Sequence, residues 1–194
     1  EEFASKALSR LGDGIAYSEE NMVALVTGAA LLVIALLSVM RSSELRRLRV
    51  GCIEDDPSRA SSLWLISGRL SKSMREHRWV IVPEVKAAVE VLERIGLETR
   101  RRSGTEALLT ACLLSRRPYM SRAEGGVATS QQIVDRIREF ATACRPERSG
   151  DANLLSIRST RRFLARFVAR RDRTTLGLLA LQYGHLDAQI TDTY

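Results

Sequence analysis

Cysteine occurs only three times in the 194 residues, at Cys52, Cys112 and Cys144. The three form neither a CxxC pair nor an even set, which excludes a disulfide framework, argues against a structural zinc site and points to a reducing, cytoplasmic compartment. Histidine is scarcer still, with His77 and His185 alone. Among the 30 basic residues only Lys6, Lys72 and Lys86 are lysines, so the positive charge is carried by arginine, whose planar fork suits bidentate contacts to phosphate. Neither internal repeats nor low-complexity segments occur.

What is present suffices for a core. With 45% apolar and 27% charged residues, the chain can bury a single compact domain, and disorder is excluded. Thirty basic residues against 23 acidic ones give a formal net charge of +7, which favours a polyanionic partner such as nucleic acid or an acidic membrane surface.

One segment raises the question of a membrane. Residues 22–40, MVALVTGAALLVIALLSVM, contain no charge over nineteen positions, about the length that spans a bilayer. Glu19 and Glu20 precede it and Arg41, Arg46, Arg47 and Arg49 follow, a polarity that would even set an orientation. The start of the chain carries neither the basic region nor the cleavage pattern of a signal peptide. The stretch is rich in alanine and includes Thr27, Gly28 and Ser38, and no second apolar segment accompanies it. It therefore reads as a central helix buried on all sides, with no membrane association.

Periodicity predicts the remaining elements. Residues 1–21 carry helically spaced apolar positions interrupted by Gly12 and Gly14, a lead-in helix and loop. Residues 61–70 and 78–82 read as strands of a hairpin with a polar connector at 71–77. Pro83 opens a helix whose Val85, Ala88, Val89, Leu92 and Ile95 share one stripe, and Gly96 ends it. Residues 98–104 read as a basic linker, 105–115 as a short buried helix, and 116–128 and 145–153 as loops. Thr129 and Gln132 form a capping-box signature for the helix bearing Ile133, Val134, Ile137, Phe140 and Cys144. Helices follow from Ile157 and from Thr174 to the end. The expected class is α+β, mainly helical, with one small antiparallel sheet.

Three local patterns carry chemistry. The first, Arg41-Ser-Ser-Glu44-Leu45-Arg-Arg-Leu48, sets an arginine and a glutamate at i,i+3, where the carboxylate can hold the guanidinium while its fork faces a phosphate. The second is Arg158-Ser-Thr-Arg161-Arg162-Phe-Leu-Ala, and the third is Gly184-His185 followed by Tyr194. Together these resemble the boxes of the tyrosine recombinase (phage integrase) family over residues 24–194. The resemblance implies a tyrosine-recombinase-like catalytic domain with Arg41 as first catalytic arginine, His185 as the terminal-box histidine and Tyr194 as nucleophile. Matching the downstream Phe-Leu-Ala makes Arg161 the second arginine and puts Arg158 where the family most often has histidine. Matching by distance to the next box favours Arg162, and both alternatives stay open. Lys72, at the tip of the expected hairpin, matches the family's strand-turn lysine. Cys52 occupies a slot where the family often has aspartate.

By this resemblance the chain is an enzyme, a site-specific DNA recombinase or integrase that works without metal, ATP or any other cofactor through a 3′-phosphotyrosine intermediate. Its partners are double-stranded DNA and further copies of itself, a homo-oligomer, expected to be a tetramer, and its location is the nucleoid of a bacterial or phage-infected cell. Residues 1–194 are expected to form one catalytic domain, without the family's usual DNA-grasping domain before it and helix after the tyrosine. Three other readings remain: a type IB topoisomerase-like enzyme, which shares the residue set, a degenerate relative that binds DNA without cutting it, and, against the buried-helix reading, a basic protein anchored by the helix of residues 22–40.

Overall fold

The computed structural model describes residues 19–55, 64–115, 126–144, 149–171 and 176–183. In chain order these give α1 (Glu19–Leu37), α2 (Ser42–Leu45), β1 (Ile53–Asp55), β2 (Trp64–Arg69), β3 (Glu76–Ile81), α3 (Pro83–Ile95) and α4 (Leu97–Ser103). Then follow α5 (Ala111–Leu114), α6 (Ser130–Cys144), α7 (Ser149–Ala152), α8 (Ile157–Arg171) and α9 (Leu176–Gln182). The class is the expected one, mainly helical with one antiparallel sheet of order β1-β2-β3.

The uncharged segment is the central helix α1, against which α3, α6 and α8 pack. Leu31, Ile34 and Ala35 are fully buried in it. Thr27 and Ser38 are buried too, but their hydroxyls donate to the carbonyls of Val23 and Ile34 at 2.7 and 2.6 Å, so no donor is stranded. Its burial is not all-round: Met22, Val23 and Val26 in its first turns are exposed. No helix among the described residues is long and apolar enough to cross a membrane. The helix also ends three residues early, because Val39 turns into the left-handed region at φ 56°.

In the sheet, Ile53 pairs with Ile66 and Ile66 with Trp79. Along β3 the period of two puts His77, Trp79 and Ile81 toward the interior and Glu76, Arg78 and Val80 outside. Gly68, opposite His77, lies where a Cβ would come within 3.0 Å of the Trp79 ring, so its small size admits that ring.

The helix opened by Pro83 is α3, and the Thr129–Gln132 signature is a real capping box: the Thr129 N–H donates to Gln132 Oε1 at 2.8 Å and the Gln132 N–H to Thr129 Oγ1 at 3.2 Å. Several sequence expectations need correction. The linker at 98–104 is helix α4, stabilised by Arg100, which folds back to donate to the Leu92 and Glu93 carbonyls, and closed by Gly104 at φ 61°. Only 111–114 of the segment 105–115 is helical; the rest is irregular, bending at Leu108 and Leu109 between isolated bridges from Ala107 to Arg49 and from Thr110 to Val127. The hairpin's second strand starts two residues earlier than expected, at Glu76, and its first starts within the described residues at Trp64. The stretch 145–153 contains the short helix α7. The lead-in helix at 1–18, the loop at 116–125 and the last residues from 184 lie outside the described residues.

Candidate functional site

The site is built around one carboxylate. Leu45 and Leu48 are fully buried, and anchoring them in the core fixes the short helix α2 and with it Glu44, itself only 2% exposed. Glu44 Oε2 accepts the Arg41 backbone N–H at 2.7 Å, and Oε1 accepts Arg41 Nη1 at 2.7 Å. The i,i+3 spacing thus returns the glutamate side chain to its own helix start and pairs it with the arginine there.

Two further elements converge on the same carboxylate. The backbone N–H and hydroxyl of Ser71, in the β2–β3 turn, donate to Glu44 Oε1 at 3.1 and 3.2 Å. From α8, Arg161 Nη1 approaches Glu44 Oε2 at 3.9 Å, a long ion pair. Burial pushes the Glu44 pKa up, but the hydrogen bonds from the Arg41 backbone, the Arg41 side chain and the Ser71 backbone outweigh it and hold the carboxyl below its ordinary value. Two guanidinium groups around one carboxylate leave a net positive charge, which suits an anion.

Arg161 is buried, and its position has a second cause. Its Cζ lies 4.5 Å from the centroid of the Tyr183 ring, and the Tyr183 hydroxyl donates to the Arg161 carbonyl at 2.6 Å. The start of α8 is held to α1 by Thr160, whose hydroxyl reaches the carbonyls of Ile157 and Ala35 at 2.9 and 3.3 Å. From α9, the Gln182 side chain pairs with both the N–H and the C=O of Val80 on the free edge of β3, at 3.1 and 2.7 Å. This amide acts as a one-residue strand and closes the sheet edge against α9.

Of the residues singled out in the sequence, Arg41 and Arg161 therefore meet at Glu44. Lys72 stands beside Ser71 in the turn, its side chain exposed. Arg158, one turn before Arg161 on α8, is exposed, and so is Arg162. His185 and Tyr194 lie outside the described residues. Sequence reasoning overlooked Ser71, Tyr183, Gln182 and His77. His77 packs edge-on against Trp79 at 4.6 Å, and its Nε2 is buried without a hydrogen-bond partner among the described residues. Burial pulls its pKa down, opposed by the Gln182 backbone and the Glu44 charge. The signal available for Tyr183 was its place immediately before Gly184-His185. Among the described residues no three His, Cys, Asp or Glu side chains converge to hold a metal ion.

No protein-family model matches the sequence, and no curated protein matches it either. The fold does have a solved counterpart: the crystal structure of XerA recombinase superposes with a TM-score of 0.60 at 16% sequence identity, over 92% of this chain. The match spans 58% of the XerA recombinase chain. The chain thus shares its fold with part of a recombinase.

Proposed function

We propose that this chain is the catalytic domain of a site-specific DNA recombinase or integrase that cleaves and rejoins strands through a 3′-phosphotyrosine. The observation that carries the reading is the meeting of Arg41 and Arg161, 120 positions apart in sequence, at the buried carboxylate of Glu44. Phosphodiester cleavage builds charge on the non-bridging oxygens, and two pre-positioned guanidinium groups supply the donors that stabilise it. The recombinase fold of XerA supports the same reading.

In this mechanism the Tyr194 oxygen attacks phosphorus, the P–O5′ bond breaks, and the 3′-phosphate stays on the tyrosine. A tyrosine with an ordinary pKa of about 10 is protonated at neutral pH, so its proton must be taken as the bond forms. His185 takes part in that transfer, and Lys72, on the exposed turn tied to Glu44 through Ser71, protonates the departing 5′-oxygen. A 5′-hydroxyl from another strand reverses the attack, so rejoining needs no ATP. The working form is a homo-oligomer on duplex DNA.

The exposure of Arg158 favours a second reading. With that residue turned to solvent in the slot where the recombinase boxes most often carry histidine, a relative that binds DNA without cutting it would look the same. Incubation with a pool of nicked suicide duplexes of randomised sequence, read on a denaturing gel, separates the two. A covalent adduct formed without added metal and abolished in Tyr194→Phe is the expected result. Salt-sensitive duplex binding with no adduct would leave the non-cutting relative.

A further inference from the structure

α8 has a second face that the clamp does not use. Ile157, Thr160, Arg161 and Ala165 are buried, with Leu164 and Val168 packed beside them. The opposite face carries Arg158, Arg162, Arg166 and Arg170, one arginine every four residues, hence about 6 Å of rise between neighbours. Between them Phe163 and Phe167 stand 59% and 50% exposed. Their rings lie 6.2 Å apart at an interplanar angle of 20°, and Arg171 Cζ sits 6.0 Å from the Phe167 centroid. An open groove of about 670 Å³ runs along this face, lined among the described residues by the two phenylalanines, four arginines and Ser159, none of them acidic. The whole fifteen-residue helix contains no Asp or Glu.

Two large rings exposed side by side on a helix that buries its other apolar side chains mark a candidate contact surface, and the charges around them restrict what it fits. We infer that this face of α8 binds a single nucleic-acid strand, with Arg162, Arg166 and Arg170 on its phosphates and Phe163 and Phe167 as stacking platforms for its bases. A polyanion complements the unbroken arginine row. Near-parallel exposed rings offer π-faces that unpaired bases can use and the closed stack of a duplex does not present. Arg161 is on the same helix but on its buried side, so a strand on this face lies roughly 10 Å, one helix diameter, from the clamp. The inference rests on the DNA reading for the nature of the polyanion and adds to it a path for an unpaired strand.

The test compares the affinity of the chain for a labelled single-stranded oligonucleotide with that for the duplex of the same sequence. The variants are the Phe163→Ala/Phe167→Ala pair and the Phe163→Leu/Phe167→Leu pair, with circular dichroism as the folding control. Both pairs are expected to weaken single-strand binding by about tenfold or more while duplex binding stays within about twofold. Arg162→Ala and Arg166→Ala are each expected to lower the log–log salt slope of single-strand binding by about 0.7. Full single-strand affinity in the alanine pair overturns the inference. So does full affinity in the leucine pair, which would assign the patch to plain apolar contact, as with a partner protein or a second copy. A wild-type chain that binds duplex but no single strand also overturns it and leaves the DNA reading intact, whereas binding to neither fails that reading itself.

Discussion

Glu44 makes its site testable through pH. The carboxyl is held below its ordinary value of 4.5 in the folded chain, so the unfolded chain takes up its proton first as pH falls. Its contribution to stability is therefore complete above pH 4.5 and drains away as pH drops through the lower folded value. Glu44→Gln is expected to cost roughly 3 kcal/mol at pH 7, since it removes the charged partner from a nearly buried pair. The measurement is urea unfolding between pH 7 and pH 3: the variant should lose less stability with acid than the wild type, and parallel curves would show that Glu44 does not carry the charge assigned to it. At this scale the sequence was legible where one local spacing fixed the geometry. Arg41 and Glu44 are i,i+3, and their ion pair at 2.7 Å is what that spacing dictates. Arg158, Arg161 and Arg162 could not be sorted by type, because all three are arginines on one helix and only the packing of α8 decides which faces inward. Ser71 was illegible for a related reason, since it acts through a contact with Glu44, distant in sequence; Tyr183 acts through Arg161 in the same way, and only its place before Gly184-His185 marked it.

Elements meet closely only where side chains let them, and the crossing of α1 with α6 depends on Gly28. A Cβ there would come within 2.6 Å of the Arg136 carbonyl oxygen and 2.7 Å of Phe140 Cβ, so alanine forces the two helices apart. Gly28→Ala is expected to destabilise the fold by about 1–3 kcal/mol despite alanine's better helix propensity, checked by the shift in denaturation midpoint. A neutral or stabilising result would mean the crossing is looser than the structure has it. Helix α1, marked by its long uncharged run, and α3 and α6, marked by their periodicity, were legible to within a few residues. The errors fell where tertiary contacts overrule pattern. Helix α4 reads as a basic linker because its ETRRR run has no apolar stripe, and it is helical because Arg100 reaches back to the end of α3. Similarly, the apolar run 105–115 reads as a helix, but Ala107 and Thr110 are drawn into bridges with Arg49 and Val127. β1, three residues long, is too short for any periodicity to mark.

Over the whole molecule the net charge of +7 is not spread evenly. Besides the α8 face, Arg46, Arg47, Arg49 and Arg69 line a groove of about 780 Å³ that includes Met74 and Gly68 of the β2–β3 hairpin. Arg46 and Arg47 directly follow the Glu44 helix, and Met74, which accepts a hydrogen bond from Arg47 Nη1 at 3.0 Å, closes the turn that carries Lys72. The groove therefore lies next to the clamp on its hairpin side. Contacts of this kind hold a duplex by its backbone and carry no sequence information, so their loss should look the same on every DNA. Arg47→Ala and Arg69→Ala are each expected to weaken duplex binding equally for unrelated sequences and to lower the log–log salt slope by about 0.9, the value for one phosphate contact to B-DNA. Titrations at several salt concentrations with two unrelated duplexes give both quantities. A slope that stays constant would place the duplex away from this groove, and a loss confined to one of the two sequences would make these arginines readers of bases instead of anchors on phosphate.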